Sequence, residues 1–425
     1  MRIVLTSWGS YGDIFPYVGI ALALRRRGMM PVLAAPGYYR PIAEAAGIAF
    51  EAVGPDVDPT DFGLIRRLMD PKRGSEVIIR EILAPALTAS FENLSRAARD
   101  AALVVTHPVT FAGPIVAESL RLPWVSTVLA PLSFFSAHDL PVFPTMPLAV
   151  HRQIQRLGPG FARALIGVAK RLTRSWTQPV VELRSRLGLP DTGNPVFEGQ
   201  FSPRMTLALF SPLFGPAQPD WPPNTRVTGF VFHNGGLRMP PELAEFLDRG
   251  DAPIVFTLGS SAVGAAGDFY RESAAAAASL GVRAVLLVGR DPANRPREWL
   301  PPGVILAESA PHEQLFPRAA AIVHQGGVGT TGQALRSGRP MLVVPHAHDQ
   351  RDNASRAMRL GAARVLYPGR YTAARVSREL KALLDDRALA DTAGRVGDAV
   401  RREDGATQAA SALIEFARLN MEPVA

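Results

Sequence analysis

The sequence predicts an α/β protein built from two Rossmann-like halves that face one another across a cleft. Three observations carry this. Short apolar runs alternate with helical stretches through most of the chain, the pattern of βαβ units with parallel sheets. An apolar strand followed by a Gly/Ser turn occurs twice, at residues 2–6 before Gly9-Ser10 and at 254–258 before Gly259-Ser260-Ser261. At 425 residues the chain is also too long for one ordinary domain, and five prolines punctuate 212–223 between the two openings. The expected division is 1–215, a linker at 216–240, 241–405, and a closing helical segment 406–425 that packs back on the first half.

The elements follow in order. Residues 2–6 read as a buried strand, 9–13 as a turn, and 16–27 as a helix with Val18, Ala21, Leu22 and Leu24 apolar and Gly28 as its C-cap. Strands are expected at 30–35 and 48–53 around a helix at 39–46. A long helix at 76–99 carries Pro85 as a kink. Strands at 102–106 and 124–128 flank a helix at 114–120 and end in His107-Pro108 and Ala130-Pro131. Phe134, Phe135, His138, Phe143 and Met146 then cluster in a proline-rich loop; at the carboxyl ends of strands, such a loop suits either a greasy ligand or ordinary packing. Residues 148–187 read as helical and basic, broken at Gly158-Pro159-Gly160, with Arg152, Arg156, Arg163, Lys170, Arg171 and Arg174 interleaved among apolar residues. That pattern fits a solvated amphipathic helix or a helix pair lying on a membrane or a partner. Strands at 206–210 and 226–232 lead into the second half. There, strands at 254–258, 283–288, 304–307, 320–323, 341–344 and 365–367 alternate with helices at 267–280, 313–316, 330–337 and 373–384, and two helical tracts end the chain.

Composition narrows the classes. Hydrophobic residues make up 47% of the chain and there is no cysteine, so a large core is available while disulfides and thiolate metal sites are excluded. No apolar run reaches about 18 residues, so no membrane span is expected, and the N-terminus lacks the shape of a signal peptide. A cytoplasmic protein, peripheral to the membrane at most, is the expectation. Net charge is +8, but the arginines are spread along the chain and no nucleic-acid-binding motif accompanies them, so nucleic acid is not expected as a partner.

The most informative stretch is 322–353, IVHQGGVGTTGQALRSGRPMLVVPHAHDQRDN. A strand enters a turn with Gly326, Gly327 and Gly329, Thr330 and Thr331 open a helix, and the next strand ends at Pro345 before Asp349-Gln350. Glycines let backbone approach a ligand, and a helix N-terminus favours an anion. Read alone, this is either a phosphate cradle or a tight strand–helix connection; it is not a P-loop, since it lacks GxxxxGK[ST].

The stretch resembles the donor-binding signature of the GT-B UDP-glycosyltransferase superfamily in its bacterial form, HHGGxGTT…P…DQ. The resemblance takes in 310–317 (APHEQLFP) and, at 7–28, the GSxGDxxP opening of sterol glucosyltransferases, rhamnosyltransferases and glycopeptide glycosyltransferases, and it spans nearly the whole chain. It implies a GT-B fold with the acceptor in the first half and a nucleotide sugar in the second. No cofactor or metal is implied beyond a dTDP- or UDP-linked co-substrate, and the apolar loop of the first half suggests a hydrophobic acceptor: a flavonoid, polyketide, sterol or lipid. An epimerase on the same architecture, or a non-catalytic binder of nucleotide sugar or lipid, are the rival functions.

The resemblance carries roles onto single residues. Asp13 stands where the GSxGD branch places the general base; by residue type alone it is a helix cap. His107 assists Asp13 or is a plain strand-end histidine. Gln325 replaces a histidine that contacts the donor phosphates, and its amide offers a neutral donor. Gly326, Gly327, Gly329, Thr330, Thr331 and Ser260 complete the phosphate site. His312 and Gln314 lie in the loop that holds the nucleotide base. Gln333 stands where glutamate often takes both ribose hydroxyls, which favours a dTDP-sugar such as dTDP-rhamnose. Asp349 and Gln350 match the pair that holds the sugar. Ser10, Phe134, Phe135, His138 and Met146 are the acceptor candidates. His324 reads as a buried strand-end residue. His346 and His348 beside Asp349 imitate a metal site, but three ligands on one turn make poor geometry.

Overall fold

A computed structural model of the chain describes residues 1–296 and 300–421. The first of its two sheets holds β1 (Arg2–Thr6), β2 (Met30–Ala35), β3 (Ala49–Ala52), β4 (Leu103–Thr106), β5 (Trp124–Val128), β6 (Thr206–Ala208) and β7 (Thr225–Val227), in the order β3-β2-β1-β4-β5-β6-β7. The second holds β8 (Ile254–Thr257), β9 (Ala284–Leu287), β10 (Val304–Ala307), β11 (Ala321–His324), β12 (Met341–Val343) and β13 (Ala363–Val365), in the order β10-β9-β8-β11-β12-β13. The pairings are parallel throughout both sheets. Helices cover both faces, which is why the central strands are apolar without alternation: Ile3, Val4 and Leu5, like Ala321, Ile322 and Val323, are fully buried.

Each sheet reverses its order at its opening strand, where β1 lies beside β4 and β8 beside β11. Such a switch point opens a crevice at the carboxyl ends. The register fixes what lines it. Thr6 pairs with Thr106 and Thr257 with His324. The turn after β1 therefore emerges next to His107, and Gly259-Ser260 emerges next to Gln325.

The final helix, Gly405–Met421, returns to the first half: Ala409, Ala410, Leu413 and Ala417 share a hydrophobic cluster with Ile14, Val18 and Leu24. Residues 422–425 of the expected closing segment lie outside the described residues.

Several sequence expectations are corrected. The first helix begins at Tyr11 rather than at 16 and runs to Arg25, because Asp13 reaches back to the N–H of Ser10 and holds the first turn. Pro16 sits inside it, where the missing N–H costs one bond near the helix start. The expected helix at 76–99 is broken into Gly74–Val77, a π-helical turn Ile78–Leu83 and Leu87–Ala98; the bond from Ala84 N–H to the Ile79 carbonyl marks the wide turn just before Pro85. The expected strand at 226–232 shrinks to β7, which adds to the first sheet from within the stretch read as linker. The basic tract divides into Leu148–Arg156, Pro159–Thr173 and Gln178–Arg186, with Gly158 at φ +86° between the first two.

Candidate active site

Asp13 stands at the third position of the helix Tyr11–Arg25. Its Oδ2 accepts the Ser10 N–H at 2.7 Å and faces the Ser10 hydroxyl at 3.2 Å. Its Oδ1 lies 3.4 Å from His107 Nε2, and one third of its side chain is open to solvent. His107 Nδ1 accepts the Val109 N–H at 3.3 Å, which leaves Nε2 as the nitrogen that donates toward Asp13. His107 is 8% exposed. Gly9 belongs here too. It sits at φ +138°, and a Cβ on it would overlap the Asp13 carboxylate. Sequence reading saw Gly9 only as a turn residue.

On the facing half, the helix Val328–Ser337 starts at the Gly-rich turn. Its first described capping bond is Thr331 N–H to the Gly327 carbonyl, so the amides of Val328, Gly329 and Thr330 precede the bonded turns and point out of the helix start. Gly326, at φ +87°, leaves no room for a side chain: a Cβ would come within 2.8 Å of Val343 and 2.9 Å of the Gln350 carbonyl. Gln325 is 2% exposed and its Nε2 lies 3.4 Å from the Thr330 hydroxyl. Thr331 corrects the expectation of two phosphate-facing hydroxyls: it is fully buried and donates to the Gly327 carbonyl at 3.0 Å, which leaves Thr330. His324 is buried, accepting the Gly326 N–H at 3.0 Å. Ser260 is exposed in the turn after β8. Gly259 beside it, at φ +60°, lies against Gln325 so closely that a Cβ would overlap the amide.

The base and sugar ends are distinct. The His312 ring stacks on Phe316 at 4.3 Å, and burial lowers its pKa to about 4, so it is neutral. Gln314 is exposed. Gln333 is 8% exposed and its Oε1 lacks a hydrogen-bond partner. Asp349 is bridged through Asn353, whose Nδ2 donates to Asp349 Oδ2 at 2.7 Å and to the Gly326 carbonyl at 2.9 Å. This buried strut ties the sugar-side carboxyl to the glycine turn; sequence reading passed over Asn353, whose partners only the fold assembles. Gln350 is turned inward, with Oε1 accepting the N–H groups of His346 and Ala347 at 2.8 and 3.1 Å. Its carbonyl shapes the turn and is not offered to a ligand. Burial, with the Asp13 charge adding to it and the Asn353 amide opposing, raises the Asp349 pKa to about 7.

Buried polar atoms normally find partners. Among the described residues ten buried side-chain polar atoms lack one, and five of these belong to Gln325, Gln333, His346, Arg351 and Asn353. Half of the ten thus fall between residues 325 and 353. No group of three or more His, Asp or Glu among the described residues is placed to hold a metal ion.

The two halves meet at their helix starts: a Cβ on Gly329 would lie 3.6 Å from Gly12 Cα. The Asp13 charge acts on both His348 and Asp349, so base candidate and sugar-side carboxyl share one gap. Tyr11 and Tyr38, hydroxyl to hydroxyl at 3.0 Å, form an aromatic wall, and Arg290 of the second half acts on Tyr11.

The acceptor candidates separate. Ser10 is at the site. Phe134 is core rather than cleft wall, 6% exposed and stacked on Trp221 at 4.0 Å. Phe135 and Met146 pack with Phe197, Ile154 and Ile166 in a satellite cluster, and His138 is exposed beside it. Trp8, Val53, Leu83, Leu87 and Phe111, each 5–8% exposed, are likewise core and close round a small void. These residues lie far apart in sequence, and no local pattern groups them.

Fold and site together define a two-domain α/β protein with a glycine turn at a helix start on one half and a carboxylate facing it from the other. Residues 276–416 match the family model for the C-terminal domain of erythromycin biosynthesis protein CIII-like proteins. The chain is 33% identical over 427 residues, 98% of each chain, to the O-mycaminosyltylonolide 6-deoxyallosyltransferase of Streptomyces fradiae. It is 28% identical over 440 residues to a sterol 3-beta-glucosyltransferase of Emericella nidulans, covering 97% of this chain and 30% of that one. In structure it resembles the glycosyltransferase SnogD from Streptomyces nogalater, with TM-score 0.69, 25% identity, and coverage of 98% and 99%. The chain belongs to the GT-B glycosyltransferases of the macrolide-type natural-product family.

Proposed function

We propose that this glycosyltransferase is inverting and metal-independent, and moves a hexose of the rhamnose or glucose type from a dTDP- or UDP-sugar to a hydroxyl of a hydrophobic acceptor. The observation that carries the reading is the pairing of Asp13 with the glycine turn across one gap. The acceptor hydroxyl approaches Asp13, held by Ser10 and His107. Its oxygen bonds to the anomeric carbon while the bond from that carbon to the phosphate oxygen breaks. The hydroxyl proton passes to the Asp13 carboxylate, and the diphosphate charge settles on the amides of Val328 to Thr330 and the helix dipole. Asp349 accepts from the sugar hydroxyls. The macrolide-type relative supports a hydrophobic acceptor.

Three measurements test this reading. The unpartnered Oε1 of Gln333 is a neutral acceptor, so dTDP-sugars compete with or outperform UDP-sugars, and Gln333→Glu shifts preference toward UDP by about tenfold or more, the scale of one charge-assisted hydrogen bond. Competition between the two donors reads it, and strict UDP selectivity of the parent protein refutes it. Chelation by EDTA leaves turnover intact; loss that is restored by a divalent cation refutes metal independence. The third is a pH effect. Asp349 is protonated below about 7 and ionised above it, and only the carboxylate accepts two sugar hydroxyls. Donor affinity therefore strengthens as pH rises through about 7, and Asp349→Asn flattens the profile. A flat parent profile contradicts the role.

A further inference from the structure

We propose that the helix pair Leu148–Arg156 and Pro159–Thr173 is a docking surface for an anionic lipid bilayer. This inference stands on the surface itself and does not depend on the transfer reaction. Twelve large hydrophobic side chains are exposed among the described residues, and five of them, Val150, Leu157, Phe161, Val168 and Leu172, fall within 23 residues (150 to 172). Singly scattered apolar residues are ordinary, but concentrated ones mark an interaction site.

The second helix carries apolar residues beyond its buried face. Ala162 and Ile166 are buried in the cluster with Phe197 and Leu140. Phe161, Val168 and Leu172, spaced by seven and four, lie together on the flank of that face, with Leu165 half-buried against the same cluster between them. On that flank Phe161 is 50% exposed, Val168 54% and Leu172 73%.

Charge selects the occupant. No Asp or Glu occurs between Asp139 and Glu182. Lys170 pairs with Glu198, which leaves Arg152, Arg156, Arg163, Arg171 and Arg174, all exposed, on the two helices and the turn that follows them. A second copy of a chain with net charge +8 would bring a like-charged face against it. An anionic headgroup layer accepts the arginines while its acyl boundary takes Phe161 and Leu172. The segment also lies next to the loop that holds Phe135 and Met146, through their shared cluster. No helix among the described residues is long and apolar enough to cross a membrane, so the contact is peripheral.

The test is co-sedimentation of the full chain with vesicles of phosphatidylcholine alone and of phosphatidylcholine mixed with phosphatidylglycerol. The parent protein pellets with the anionic vesicles, and added salt weakens the binding. The triple variant F161S/V168S/L172S and the pair R163E/R171E each lower partitioning by about tenfold or more. All five side chains are exposed, so melting curves of both variants match the parent and separate lost docking from lost folding. The proposal fails if the parent stays in the supernatant with both vesicle types, or if the triple variant binds as well as the parent. It fails equally if sedimentation equilibrium shows a dimer that the triple variant dissociates.

Discussion

Asp13→Asn lowers turnover by about 10²- to 10⁴-fold, the usual worth of a positioned general base, while nucleoside diphosphate affinity stays unchanged. Asparagine keeps the shape, and its carbonyl oxygen still accepts the Ser10 N–H that Asp13 Oδ2 now takes, so the helix start survives. What disappears is the oxygen that receives the proton. Steady-state kinetics beside calorimetric binding of thymidine diphosphate check this: the loss appears in kcat and not in affinity. The same substitution has a second signature. The Asp13 charge helps to raise Asp349, so removing it moves the midpoint of the donor-affinity profile to lower pH. A kcat near that of the parent would assign the base to another group.

Arg356→Met destabilises the protein by about 3–5 kcal/mol, because it leaves buried carboxylates unpaired. Arg356 is 2% exposed. Its Nε donates to Asp352 at 2.6 Å on its own helix, Gln350–Arg359, and its Nη1 donates to Asp139 of the first half at 2.5 Å. Arg359 reaches the other oxygen of Asp139 at 2.9 Å, and Asp352 Oδ1 accepts the Val142 N–H at 3.0 Å. The network therefore clamps the 131–147 loop to the helix that carries Asn353, two turns of hydrogen bonding away from the sugar-side carboxyl. Burial pushes the Asp139 pKa up, but Arg356 and Arg359 outweigh it and hold it below the usual carboxylate range. A depressed carboxylate stabilises the fold above its unfolded pKa, and that contribution is lost as pH falls through the folded value. The gap between parent and variant in calorimetric melting is accordingly widest near neutrality and narrows in acid. Equal melting temperatures at neutral pH would show that the ion network contributes nothing net.

What the sequence disclosed follows from how local each feature is. The glycine turn, Asp13 and Asp349 sit in short motifs whose backbone needs are written in adjacent residues: Gly326 must adopt a positive φ beside Val343, and Asp13 must reach Ser10 three positions back. The two sheets were legible because a parallel strand buried on both faces is an unbroken apolar run. Tertiary partners were not. Nothing near Asn353 announces that its amide joins Asp349 to the Gly326 carbonyl. Phe134 and Phe135 are adjacent, yet one stacks into the main core on Trp221 and the other, at φ +47°, turns into the satellite cluster against Phe197. The core residues from Trp8 to Phe111 that close round one void come from four separate segments, and β7 reads too long because the apolar run continues past the three residues that pair.

The account rests on a diphosphate held by one half while a carboxylate on the other takes a proton. A crystal structure of the protein with thymidine diphosphate and a bound acceptor tests it most directly. The predicted result is phosphate oxygens on the amides of Val328 to Thr330, with the acceptor hydroxyl within about 2.6–3.2 Å of Asp13. A diphosphate bound away from that turn, or a hydroxyl held by some group other than Asp13, would contradict it.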